Sequence, residues 1–179
     1  MRRAVHHAHA GHWPEAEAVG TVILDFDARH RRRIRLATEG GEDVLLDLPK
    51  AVAMADGDGL ELDGGGWLRV TAAPEPLAEI RAGSAHAMVR VAWHLGNRHL
   101  PTQIVGEMLR IRPDHVIEAM VQGLGAEVRH VVAPFQPEGG AYAGQGGGHG
   151  HHHHHHDYDH DGHHHDDDHG HGHEHDHGR

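Results

Sequence analysis

The sequence changes character near its end, and that change confines any fold to the residues before it. Residues 149–179 read HGHHHHHHDYDHDGHHHDDDHGHGHEHDHGR, a run of histidine broken mainly by Asp, Glu and Gly. Nothing in this stretch fixes a geometry, so a packed core falls to the preceding roughly 140 residues, enough for one domain or two small ones. Imidazole nitrogen suits Zn, Cu, Fe and Ni, whereas Mg and Ca prefer oxygen. The tail therefore reads as a flexible, many-site collector of borderline divalent metal rather than a catalytic site. Its candidate ligands are His149, His151, His152, His153, His154, His155, His156, His160, His163, His164, His165, His169, His171, His173, His175 and His177. His151 to His156 alone would fit an expression tag. The later histidines, interleaved with Asp157, Asp159, Asp161, Asp166, Asp167, Asp168 and Asp176, do not, and the tract reads as native.

The formal charge of -11 is partly a property of this tail. The body still leans acidic, which disfavours a nucleic-acid groove. The exception is Arg29-His30-Arg31-Arg32-Arg33, read as a solvated turn ahead of a strand. With no Cys, any metal must be held by His with Asp, Glu or water. The N-terminal MRRAVHHAHAGHW lacks the apolar core of a signal peptide, and no apolar run is long enough to span a membrane. A cytoplasmic protein is the expectation. His6, His7, His9 and His12 are read as a loose N-terminal end rather than an extra collecting site. His30, His86 and His130 read as surface residues.

Residues 19–70 alternate short apolar runs with turn signals. Val22, Leu24 and Phe26; Ile34 and Leu36; Val44, Leu46 and Leu48; Leu60 and Leu62; and Leu68 and Val70 are separated by Gly40-Gly41, Asp56-Gly57, Asp58-Gly59 and Gly64-Gly65-Gly66. This spacing predicts an antiparallel β-domain, with Pro49 ending one strand. Pro74 and Pro76 mark the next boundary. A strand over 77–80 precedes a helix with Ser84 as N-cap and Met88, Val91, Ala92 and Leu95 on one face, stopped at Gly96. Two short strands flank Gly106. A second helix follows Asp114, with Ile117, Met120, Val121 and Leu124 at i, i+3, i+4, i+7, closed near Gly123 or Gly125. A strand over 127–132 completes βαββαβ, the ferredoxin-like order. The fold class is α+β. The segment EGGAYAGQGGG has the composition of a flexible linker.

His94-Leu95-Gly96-Asn97-Arg98-His99, followed by Leu100-Pro101-Thr102-Gln103-Ile104, resembles the signature of the UreE family of urease accessory nickel metallochaperones. The resemblance extends through Arg112-Pro113-Asp114-His115-Val116 and Pro134-Phe135-Gln136-Pro137-Glu138-Gly139-Gly140-Ala141-Tyr142, and through residues 24–48. It implies a β-domain of the partner-binding type over 1–73, a ferredoxin-like metal-binding domain over 74–136, a linker and His-rich tail over 137–179, and a homodimer. It implies that His99 binds nickel at the dimer interface and that His115 is a further ligand. Some members carry another histidine two positions before His115; here that position is Pro113. His94 reads as a helix-end residue.

The resemblance further implies a nickel chaperone, not an enzyme. Its partners would be the urease accessory GTPase UreG and the urease apoprotein, with neither nucleic acid nor membrane. Ni2+ is the expected metal, and Zn2+ and Cu2+ suit the same ligands. The alternative is a histidine-rich nickel or zinc store. A metalloenzyme is disfavoured, because no HExxH motif and no Ser-His-Asp arrangement occurs. The G-x-x-x-x-G-K-[ST] loop of a nucleotide hydrolase is missing too, and the chain's lone lysine, Lys50, follows a proline.

Overall fold

The computed structural model describes residues 1–139. Six strands form the first sheet: β1 (Arg2–Ala8), β2 (Ala18–Leu24), β3 (Arg33–Ala37), β4 (Asp43–Asp47), β5 (Gly59–Leu62) and β6 (Trp67–Ala72). Their order is β2-β6-β5-β1-β4-β3. A bridge between Val22 and Thr38 brings the two edges together, so the sheet curls on itself. The alternating apolar residues point inward. Val22, Leu36, Val44, Leu46, Leu60, Leu62, Leu68 and Val70 form one buried cluster with Ala4 and Met54. Period-2 patterning places such residues on one face of each strand.

Two features depart from expectation. The N-terminus is not a loose end: β1 lies in the middle of the sheet, parallel to β4 (Arg2 opposite Val44) and antiparallel to β5 (His7 opposite Leu60). The pairing is also mixed. β3–β4, β1–β5 and β5–β6 are antiparallel, but β1–β4 and β2–β6 are parallel.

The second sheet follows the expected βαββαβ order: β7 (Pro74–Ala82), α1 (Ala85–Gly96), β8 (Gln103–Val105), β9 (Met108–Ile111), α2 (His115–Gly123) and β10 (Ala126–Pro134). Strands β7 and β9 are central, and β10 and β8 are the edges. Pro74 and Pro76 do not end a segment but lie inside β7, opposite Pro134 and Val132 of β10. They are tolerated because β9 reaches β7 only from Ala78 onward, so a missing N–H on that side interrupts no ladder. Both helices cover one face. Val91, Leu95, Ile117 and Val121 pack on Ala78, Ile80, Leu109 and Ile111. Each such aliphatic side chain contributes roughly 1.5–3 kcal/mol relative to exposure.

Both predicted N-caps are present. Ser84 Oγ accepts from Ala87 N at 3.2 Å, and Asp114 Oδ1 accepts from Val116 N and Ile117 N at 2.9 and 3.1 Å. Each satisfies helix donors that otherwise have no partner.

The run from Arg29 to Arg33 is only partly solvated. Arg29 is buried, with 2% of its surface exposed. The 3-10 turn Ala28–His30 rotates it inward. Its guanidinium donates to the carbonyls of Met54 (3.1 Å) and Phe135. It thereby joins the first sheet, the loop before β5 and the chain after β10. Burial pulls its pKa below the ordinary arginine value, opposed by Glu75, Asp56, Asp25 and Asp58. Around it, Phe26 packs on the fully buried Phe135 at 5.3 Å, and Arg112 pairs with Asp27 at 2.8 Å.

Candidate metal centre

The segment from Gly96 to His99 is built as a helix terminus. The last four carbonyls of a helix have no partner within it. Here Asn97 N donates to Trp93 O (3.1 Å), Arg98 Nη1 to His94 O (2.9 Å), Arg98 N to Leu95 O (3.0 Å) and His99 N to Gly96 O (3.0 Å). The helix ends at Gly96 as expected, with Asn97 as its C-cap. The chain reverses at His99, whose φ of 53° is in the left-handed region. Only a few per cent of residues other than glycine adopt it, and such outliers gather at functional sites. Backbone and arginine thus complete the cap. The exposed His99 imidazole is hydrogen-bonded to no group among the described residues.

His115 is the first residue of α2, directly after the Asp114 cap, and is exposed. A cleft of about 400 Å³ is lined by Leu100, Pro101, Ile111, Arg112, Pro113, Asp114 and Ile117. The residues following His99 and those preceding His115 therefore border one depression. His99 and His115 do not belong to a three-ligand cluster among the described residues. The histidines of 149–177 lie outside the described residues. His94 is half-buried, with its ring edge-on to Trp93 at 4.9 Å. His30, His86 and His130 are exposed, and His130 Nε2 lies 3.0 Å from Glu118 Oε2.

Two observations bear on access to His99. Val89 and Trp93, four apart on α1, are 66% and 65% exposed, leaving an apolar stripe that runs toward the helix end. Beyond β10, Gln136 N donates to Gln103 Oε1 (3.2 Å) and Glu138 N to Thr102 O (2.9 Å). The described residues thus end beside the loop that follows His99.

A cluster of candidate ligands lies on the first sheet, in the N-terminal segment expected to be a loose end. Asp58 is 1% exposed. Its Oδ2 accepts from His7 Nε2 at 2.7 Å and Ala55 N at 2.8 Å, and its Oδ1 from Ala10 N at 2.9 Å. His9 Nδ1 stands 3.7 Å from the same Oδ2. The available signals were the His7-x-His9 spacing, which puts both on one side of an extended chain, and an Asp within a Gly-Asp-Gly turn.

Buried carboxylates also set the acid response. Burial would raise the Asp58 carboxyl, but the hydrogen bonds from His7, Ala55 and Ala10 outweigh it and hold it below the ordinary range. Glu79, 4% exposed, is held low first by the Arg110 guanidinium (2.9 Å) and also by Arg81, against the opposing effect of burial. Both groups titrate lower folded than unfolded. Their contribution is complete above the unfolded values of about 4 and is lost as pH falls through the folded ones. Urea midpoints followed by tryptophan fluorescence should therefore drop from about pH 5 to pH 2. A constant midpoint would contradict these two pairings.

The family model for the UreE urease accessory protein N-terminal domain matches residues 2–73, and that for the C-terminal domain matches residues 75–161. The chain belongs to the UreE family. Its relatives include the urease accessory protein UreE of Bradyrhizobium sp. (strain ORS 278), 61% identical over 131 residues, or 73% of this chain and 62% of the relative. That of Rhodopseudomonas palustris (strain BisB18) is 60% identical over 131 residues, covering 73% and 62%. That of Beijerinckia indica subsp. indica is 51% identical over 136 residues, covering 76% and 78%. The chain thus spans a little under two thirds of the length of the first two. No helix among the described residues of this UreE chain is long and apolar enough to cross a membrane.

Proposed function

We propose that this UreE chain is a nickel metallochaperone for urease assembly, without catalytic activity of its own. The observation that carries the reading is the free, left-handed His99 at the end of α1, beside the last described residues, which precede the histidine-rich sequence. The exposed Val89–Trp93 stripe favours self-association on this side of the second sheet. A two-fold axis there brings two His99 imidazoles to one ion, since isologous contacts duplicate every group. A divalent ion wants four to six donors. Water, His115 or tail histidines supply the remainder, and a recipient can displace them. An unfinished site of this kind releases its ion more readily than a closed one.

The tail acts as the collector. Eleven positions separate Glu138 from His149, and a Gly-rich stretch of that length spans about 5–6 Å × √n, or roughly 18 Å. Tethering over such a distance gives effective concentrations in the millimolar range. Ions gathered at 149–177 then pass to the His99 pair in the cytoplasm, and onward to the accessory GTPase UreG and the urease apoprotein. Residues 1–73 serve as the partner-binding module and 74–136 as the metal-binding one. Zn2+ and Cu2+ compete for the same nitrogen donors.

The test is stoichiometry. In a chain truncated after Gln145, calorimetry should find one tight Ni2+ per two chains, absent in the same truncation carrying His99→Ala. A Ni2+ titration of the truncated chain that His99→Ala leaves unchanged in both stoichiometry and affinity would contradict the shared site.

A further inference from the structure

We propose that His7, His9 and Asp58 form a separate site for a borderline divalent transition ion on the first sheet. The site goes beyond the nickel-delivery reading and stands without it. Among the described residues, this is the one place where three groups capable of binding metal offer their ligand atoms within 4.8 Å of one another.

Three features distinguish it from a chance meeting of surface groups. The carboxylate is fully sunk, and two backbone N–H groups, from Ala10 and Ala55, hold it without help from either histidine. The histidines come from one continuous strand end. His7 lies at the end of β1, its side chain 9% exposed, and His9 is two positions on, facing the same way. The turn that follows is set independently: His12 N donates to His9 O (2.9 Å), and Gly11 takes a φ of 74°. Trp13 clamps that turn by donating from Nε1 to Gly57 O (3.0 Å) and lying against Gly59, where a Cβ would come within 2.4 Å of its ring.

The dimensions suit an ion. Metal–nitrogen and metal–oxygen bonds of about 2.0–2.2 Å put neighbouring tetrahedral ligands about 3.3 Å apart. The contacts to Asp58 Oδ2 are 2.7 Å from His7 and 3.7 Å from His9, bracketing that value. To come into register, His7 and Asp58 must separate by roughly 0.6 Å and the 74%-exposed His9 must approach by roughly 0.4 Å. On binding, His7 Nε2 gives up the proton it donates to Asp58 Oδ2 while Nδ1 takes one up from solvent, so the ring stays neutral and its Nε2 lone pair faces the ion. Two imidazoles and one carboxylate select Zn2+ or Ni2+ over Mg2+ or Ca2+ and leave a fourth position for water. One ligand is buried and one is on an exposed turn, so the site can load without unfolding the sheet.

The experiment is a Zn2+ titration of the full chain with 15N-labelled histidine side chains, read by NMR. The ring nitrogens of His7 and His9 should shift together. In His9→Gln, a change on the exposed turn that leaves the sheet intact, the His7 response should need at least about tenfold more Zn2+. Asp58→Asn should abolish the concerted shift. The proposal is overturned if His7 stays unmoved while His9 responds no differently from His12, for His7 and Asp58 would then be a plain hydrogen bond. It is overturned equally if His9→Gln leaves the His7 response unchanged. Neither result touches the His99 stoichiometry, so the two readings fail separately.

Discussion

Truncation after Gln145 is expected to strip the chain of most of its nickel-binding capacity while leaving the two sheets intact. Sixteen of its 26 histidines lie beyond that point. Among the described residues, the last buried one is Phe135, and the last backbone hydrogen bond is that of Glu138 to Thr102. Every strand and both helices among the described residues end by Pro134. Equilibrium dialysis should therefore show a several-fold drop in bound ions per chain, with an unchanged melting temperature for the metal-free forms. Equal stoichiometry in the two chains would remove the tail from the account. A collapse of the melting temperature would show that the tail supports the fold.

The largest expected effect on stability is that of Arg29→Leu. The leucine covers similar apolar surface but leaves the carbonyls of Met54 and Phe135 buried without a donor. Each unsatisfied buried group costs about 1–3 kcal/mol, so the loss of both partners should destabilise by about 2–6 kcal/mol. Arg29→Lys should recover part of this at most, because a single ammonium is a point donor where the fork meets two acceptors. The loss is to be read from urea denaturation. A shift below about 0.5 kcal/mol, the size expected of an ordinary surface substitution, would contradict the bridging role.

These cases also mark what local pattern can and cannot carry. The βαββαβ half was legible because each element is specified by its neighbours. Val91 and Leu95 or Ile117 and Val121 repeat at helical spacing, Ser84 and Asp114 supply caps, and Gly106 and Gly125 take the positive φ that their turns need. Strand β1 was not legible. Arg2, Arg3, His6 and His7 break any alternation, and Ala4 alone is its buried apolar residue. What makes β1 a strand is its pairing with β4 and β5, some 40 to 60 residues away. The parallel pairings of β1 with β4 and of β2 with β6 are hidden for the same reason.

Arg29 misled because charge runs are solvated as a rule, and only the inward rotation of one turn singles it out. Asp58 misled because an Asp between glycines reads as turn chemistry. Its burial against His7 exists only once β1 is in place. His99 was marked by the Gly-Asn-Arg-His segment, but the reason for that segment emerges from the cap. Asn97 and Arg98 satisfy the helix carbonyls and leave the imidazole free.

The central claim is that the His99 pair passes nickel on, which a store would not do. The most direct measurement is nickel-dependent activation of apo-urease by the full chain and by His99→Ala, each loaded with the same number of ions. The account predicts strong activation by the first and near-background activation by the second, even with its tail charged. Equal activation by both would show that delivery does not pass through His99.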